Sequence, residues 1–384
     1  MKNFDKWFYI AVLALSALFL FFGNRIASDG MFVSEFEPMP VYSAIVLEII
    51  DRQDMAELFG FDFVIVDTIV IFSAEITSGD RAGHIVQAEQ SITYGRIVEV
   101  GVGNRILLVH DTFHDVFWFM DYVRTNYIII LAILFFILMV VFGKLKGFNS
   151  IIALANVCMA IFLLLIPAIL SGMNIYVTAA VISLYSIVST LLIVIGVNKK
   201  AVSAMIGCLG GVLLAGILMF GMDIIMGMTG LVDHETRNLL LIPTAQPINI
   251  RAVIFAGVII GSTGAIMDVA MSISSSLWEV RKAKEDANFA SIFKSGMEIG
   301  KDILGTMLNT LILAYIGSAL PLIILITAST TTLLELFNME LIILEFLRAL
   351  VGGFGMFLTI PLTAAICGWL YMRGNIEYKE NEGE

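Results

Sequence analysis

The chain has 384 residues, 59% of them hydrophobic and 14% charged, whereas soluble domains run at about 45–50% and about 25%. That excludes a water-soluble enzyme, a disordered chain and a disulfide scaffold, and points to a polytopic membrane protein. A net charge of −11 argues against nucleic acid as a partner, because phosphate binding requires clustered Lys and Arg. Cys158, Cys208 and Cys367 are too few and too scattered for a disulfide framework or a zinc site.

A bilayer core needs about 20 apolar residues per helix. Eight segments meet this: 7–23, 127–143, 150–170, 175–197, 201–222, 252–278, 302–327 and 348–372. Their Ile and Val content would favour strands in water, but in lipid an open-ended segment satisfies its backbone only as a helix. With the N-terminus inside, 13 of the 22 basic residues fall in short inner pieces, including Lys144, Lys146, Lys199, Lys200 and Arg281–Lys301. This asymmetry places both termini in the cytoplasm. Residues 1–23 then form an N-terminal anchor rather than a cleaved signal. Residues 24–126 form an extracytoplasmic domain, 127–373 a seven-helix membrane domain, and 374–384 a cytoplasmic tail.

Residues 24–126 lose the membrane character. The stretches 41–50, 63–75, 83–92 and 96–109 are rich in Val and Ile and separated by polar breaks such as Ser78-Gly79-Asp80-Arg81. They read as strands of a small β-rich domain, a compact barrel, with a hairpin turning at Gly101-Val102-Gly103-Asn104; 62–72 competes as a short helix. His110 and His114 stand four apart beside Asp111 and Asp115, with His84 upstream. On a helix two such rings would share a face and could bind a metal. The run has no further ligand pair, and no metal is expected.

The informative span is 252–278. Gly257, Gly261, Ala265, Asp268, Ser272, Ser275 and Glu279 recur every three or four residues, so they share one helix face. Gly257, Gly261 and Gly264, with Gly305 in the next span, suggest close helix packing. Asp268 lies about 20 Å of helix from Arg281, deep in the hydrocarbon layer. An ionised carboxylate there costs at least about 2.5–3.5 kcal/mol, so it must pair, face water or be protonated. Two roles fit: an ion or proton relay, or a hydrogen-bonded acid holding helices together. Asn309 and Thr306 are its candidate partners, with Ser272, Ser275 and Glu279 as further pore candidates.

Softer signals surround this span. Gly207, Gly210 and Gly211 read as packing sites, as do Gly352, Gly353 and Gly355. Ser183, Ser186 and Thr190 lie on one face, Pro361 predicts a kink, and 281–300 reads as an amphipathic helix, either on the inner surface or against the bundle.

The motif Gly261-Ser-Thr-Gly264-Ala-Ile-Met-Asp268-Val-Ala-Met-Ser272-Ile-Ser-Ser-Ser276-Leu-Trp-Glu279, with the order of elements around it, resembles the YibE/F-like family of bacterial membrane proteins. The resemblance implies a multi-pass plasma-membrane protein with transporter-like features. An intramembrane Asp followed by a charged helix also resembles the SecD and SecF type of export helper. The expected function is an ion-coupled transporter or permease using Asp268. The alternative is a non-transporting scaffold or accessory subunit whose outer domain binds a partner. The spans contain no Ser/His or paired-Asp arrangement and no phosphate loop, so no enzyme activity and no cofactor are expected. The partners expected are the lipid bilayer, a solute or protein of unknown identity, and a second copy of the chain if it forms a homo-oligomer.

Overall fold

A computed structural model describes residues 3–29, 39–54, 66–93, 98–244, 246–284, 287–328 and 332–372. The chain divides into two compact units, Ser34–Met139 and the remainder, Met1–Val33 with Val140–Glu384.

The first unit is built on five strands: β1 (Val41–Asp54), β2 (Val66–Ile76), β3 (Ile85–Thr93), β4 (Arg105–Asp111) and β5 (Val116–Tyr122). They close into a barrel in the order β1-β2-β3-β5-β4, antiparallel except for β3 against β5, an arrangement of the OB type. Side chains alternate along each strand, so Tyr42, Ala44 and Val46, then Val70, Phe72, Ala74 and Ile76, then Ile106 and Leu108 all point inward and fill the interior. The stretch weighed as a helix over 62–72 is strand from Val66 onward; 61–65 lie outside the described residues. Among the described residues 98–109 the expected hairpin does not form; 96 and 97 lie outside them. Gly101–Asn104 does turn, with Gly103 at φ +82°, but Arg105–Asp111 pairs with β1 and β5 instead. The partner of 98–100 is the buried side chain of Gln90. Its Nε2 donates to the Val98 carbonyl at 3.2 Å, and its Oε1 accepts from the Val100 N–H at 2.9 Å.

The helices are α1 (Asn3–Ser28), α2 (Thr125–Ala160), a π-helical turn Ile161–Leu165, α3 (Ile166–Leu170), α4 (Ile175–Ile195), α5 (Lys199–Met226), α6 (His234–Leu239), α7 (Ile250–Ala283), α8 (Phe289–Ala328), α9 (Leu333–Leu336) and α10 (Glu340–Met372). Among the described residues seven continuous helical runs are long and apolar enough to cross a membrane. Thr125–Leu170 counts as one run of 46 residues, but two helices meet in it at a kink, with Lys144 non-helical (φ 49°, ψ −132°). The spans expected over 127–143 and 150–170 lie on either side of this break, which stands where a loop was expected near Lys144 and Lys146. The composition and these helices make the chain a membrane protein.

α1 packs against the π-helical turn and α4. Ser16 hydrogen-bonds the Tyr185 hydroxyl, Phe19 stacks on the Tyr185 ring at 4.5 Å, and Gly23 sits against Leu164. The main core joins α5, α7, α8 and α10, with Cys208, Ile266, Ile273, Met356 and Tyr371 at its centre. The amphipathic stretch 281–300 splits between the end of α7 and the start of α8. Ile292 is buried and Phe293 and Met297 are packed on the core, so the stretch belongs to the bundle rather than to a surface.

Glycines let these helices approach at the positions expected on α5 and α10, but not at those expected on α7 and α8. A Cβ at Gly257, Gly264 or Gly305 would meet nothing within 4 Å, and at Gly261 only the Tyr315 hydroxyl at 3.7 Å. The face expected to pack is the open side of α7, because the larger Ile266, Val269 and Ile273 carry the core contacts. The close approach is α5 to α10. A Cβ at Gly207 would overlap Thr363, and one at Gly211 would overlap Thr359 Oγ1 and come within 2.6 Å of the Gly355 carbonyl. Gly211→Ala therefore lowers the thermal unfolding midpoint in detergent, by an overpacking cost of about 1–3 kcal/mol. Gly257→Ala, with open space at that Cβ, does not lower it. Equal midpoints for the two variants would refute this packing scheme.

Candidate functional site

α7 starts at Asn249, whose side chain accepts from the Ala252 N–H, and runs 34 residues with Asp268 near its middle. Ile266, Val269, Ala270 and Ile273 go into the core and leave Asp268 on the flank towards α2 and α4. There it lines a cavity of about 330 Å³ together with Ser183, Ser186 and Thr190 of α4, Ser150 of α2, and Thr263 one turn earlier on α7. Ser183, Ser186 and Thr190 are spaced three and four apart, so α4 offers one polar stripe to the cavity. No Lys, Arg or His is among the lining residues.

The hydrogen bonding within this cavity is uneven. Ser150 donates to the Lys146 carbonyl at 2.9 Å and Thr263 to the Ile259 carbonyl at 2.7 Å, the usual return to the helix's own backbone. Ser183 and Ser186 do not make that bond. Their residues are 2% and 5% exposed, and neither hydroxyl oxygen has a partner. No hydrogen bond or ion pair from the described residues reaches Asp268. The cavity thus gathers a carboxylate and two orphaned hydroxyls between apolar helices.

The other residues expected to form the site lie outside this lining. Ser272 and Ser275 are half-buried farther along α7. Glu279 is exposed and sits 3.6 Å from both Lys200 and Lys282. Asn309 and Thr306 are exposed on α8, with the Thr306 hydroxyl donating to the Ile303 carbonyl at 2.9 Å. α8 turns Ile303, Leu304, Met307 and Leu308 to the core, which directs Asn309 away from it. The expected meeting of Asn309 with Asp268 does not occur; α4 supplies the facing polar groups instead.

Sequence reading also missed Asp223. Buried in the last turn of α5, it takes a forked pair from Arg251 of α7, Nε at 3.0 Å and Nη2 at 2.6 Å. An acid at the very end of an apolar run was its only signal. Nearby, Glu340 at the start of α10 accepts from the Gly230 N–H at 2.5 Å and the Thr229 hydroxyl at 2.7 Å.

Two barrel histidines, His110 and His114, are each matched to one carboxylate. β4 ends at Asp111, and the turn to β5 puts Asp115 at φ 53°, a left-handed conformation that Asp tolerates. Asp115 Oδ1 lies 2.8 Å from Nε2 of the buried His110 and 3.7 Å from Arg81; Asp111 Oδ2 lies 2.7 Å from His114 Nδ1. His84 contacts the Arg81 carbonyl at 3.0 Å. Among the described residues no three His, Cys, Asp or Glu converge as a metal would require. The His114 hydrogen bond, with the Phe113 N–H, holds the Asp111 carboxyl below its usual range, and the His110 hydrogen bond does the same for Asp115.

A family model described as YibE/F-like protein matches residues 131–373, and the chain belongs to that family. No curated protein and no solved structure matches it.

A carboxyl whose folded value is lowered stabilises the fold above its unfolded value and loses that contribution as pH falls through the folded one. The His110–Asp115 and His114–Asp111 pairs therefore support the barrel fully above about pH 4 and weaken in more acid solution. In carboxyl ¹³C titrations of the full chain, Asp111 and Asp115 should titrate below ordinary aspartates; midpoints at or above the ordinary value would contradict the pairing.

Proposed function

We propose that this YibE/F-like protein is a multi-pass protein of the bacterial plasma membrane that couples solute movement to an ion through Asp268. The observation that carries this reading is the cavity that Asp268 lines together with Ser183 and Ser186, whose hydroxyls have no partner. An acid kept only to hold helices together would be expected to have bonded partners. A carboxylate beside a cavity with hydroxyls in its otherwise apolar lining can exchange an ion or a proton with water, which is the usual reason for an acid within a membrane segment. Gly264, one turn before it and lining the same cavity, has open space at its Cβ position, which leaves that side of α7 unobstructed. Both termini lie in the cytoplasm and the barrel outside, a topology that rests on the Lys and Arg distribution. Reconstituted vesicles test the role. Wild-type protein dissipates an imposed proton or alkali-cation gradient, and Asp268→Asn abolishes this while its gel-filtration profile is unchanged. Equal flux in the two proteins would sink the proposal.

A second reading is a membrane scaffold whose barrel binds a partner. It is favoured by large apolar side chains on the barrel surface: Phe113 is 94% exposed, and Ile85 and Val102 are each 66% exposed. Photocrosslinking from position 113 in cells separates the two readings. A stoichiometric protein adduct, together with flat gradients in the vesicle assay, supports the scaffold; absence of any adduct rules it out.

A further inference from the structure

The ion bound at this cavity can be read from its donor set, on the premise that Asp268 is the coupling carboxylate. Hydroxyls on apolar helices in this chain mostly return to their own backbone. Ser203 donates to the Lys199 carbonyl at 2.8 Å, Thr310 to Thr306 at 3.0 Å, Thr327 to Ile323 at 2.7 Å and Thr359 to Gly355 at 2.9 Å. Ser183 and Ser186 break this habit, on adjacent turns of one helix face and in the cavity that holds Asp268. Two other orphaned hydroxyls, those of Ser262 and Thr363, have a different setting. They lie at the close glycine contacts of Gly352 and Gly207 and outside the cavity lining.

An orphaned buried hydroxyl costs about 1–3 kcal/mol, so a ligand that engages both oxygens recovers a real penalty. The donors are one carboxylate and neutral hydroxyl oxygens, all hard. A transition metal would favour His or Cys ligands, and none lines the cavity. A calcium site usually gathers several carboxylates, and only one is here. An anion would face the uncompensated charge of Asp268. A proton needs Asp268 alone and leaves Ser183 and Ser186 unsatisfied. A single positive charge with oxygen ligands satisfies all three groups and neutralises the cavity. We propose that Asp268, Ser183 and Ser186 form a binding site for an alkali cation, held with water in the cavity between α2, α4 and α7.

Binding to the folded state raises its stability in proportion to the logarithm of occupancy, so the test is thermal unfolding of the purified full chain. Midpoints are compared in NaCl, LiCl and KCl against choline chloride at equal ionic strength. At least one alkali salt should raise the midpoint saturably over choline. Ser183→Ala and Ser186→Ala keep the helix and remove one ligand oxygen each; a lost charge-assisted contact weakens apparent affinity by about tenfold or more. Asp268→Asn should remove the salt effect altogether. The same midpoint in all four salts would overturn the inference, as would unchanged cation affinity in both serine variants. The two proposals can fail separately. Proton flux lost in Asp268→Asn without any alkali effect would leave the coupling reading and remove the cation site. An alkali effect that depends on Ser183 and Ser186, in a protein with no flux, would leave the site and remove the transport reading.

Discussion

Within an apolar bundle a hydroxyl has one inexpensive partner, the carbonyl a turn back on its own helix. A carboxylate has none, since it carries no proton to give that carbonyl. This constraint sorts the polar residues of the chain. Ser150, Ser203, Thr263, Thr310 and Thr359 satisfy themselves locally and say nothing about function. Ser183, Ser186 and Asp268 cannot be explained that way. They come from two helices and line one cavity, so the local rule fails where a shared volume exists to take its place.

The packing around that volume has two characters. On one side, α5, α7, α8 and α10 meet through close backbone approaches. A Cβ at Gly207, Gly211, Gly296 or Gly300 would run into Thr363, Thr359, Ala364 or Ile360. Contacts of this kind leave little room for adjustment. On the other side, α1 and α4 are joined by the Ser16–Tyr185 bond and the Phe19 stack, and α2 reaches the cavity after a broken backbone at Lys144 and before a π-helical turn. The π-helical turn precedes Pro167, which has no N–H to continue an α-helical ladder. The cavity lies where these two kinds of packing meet.

How much of this was legible in the sequence follows from what each signal depends on. Asp268 could be found because the cost of placing a charge in a membrane span is independent of which helix lies opposite; its side chain is exposed on the flank of α7. Its partners could not, because periodicity gives a face but not its neighbour. The Ser183, Ser186, Thr190 stripe is visible as one face with nothing to say what it meets, while the equally periodic Thr306 and Asn309 offer themselves as partners. The glycines show the same limit. Gly257 and Gly261 have the spacing of a packing motif and face open space, whereas Gly207 and Gly211, at identical spacing, are the ones in contact. In the barrel, strand alternation gave the architecture and most of the strand positions. The pairing of 98–100 with the Gln90 amide had no pattern to read, because a side chain had replaced a strand.

The chain also contains its own control for the meaning of an unpartnered acid. α7 meets charge in three places. At one end Arg251 forks onto Asp223 of α5, and at the other Glu279 lies between Lys200 of α5 and Lys282. Both ends bring α7 and α5 together through opposite charges, which is what a cohesive role for an ionisable group requires. Asp268, between them, lies on a flank where α5 supplies no basic residue and α4 supplies only hydroxyls. An acid retained for cohesion would have followed the pattern of Asp223. Its departure from that pattern, on the same helix but on the flank towards α2 and α4, favours an exchangeable ion over a fixed protein partner.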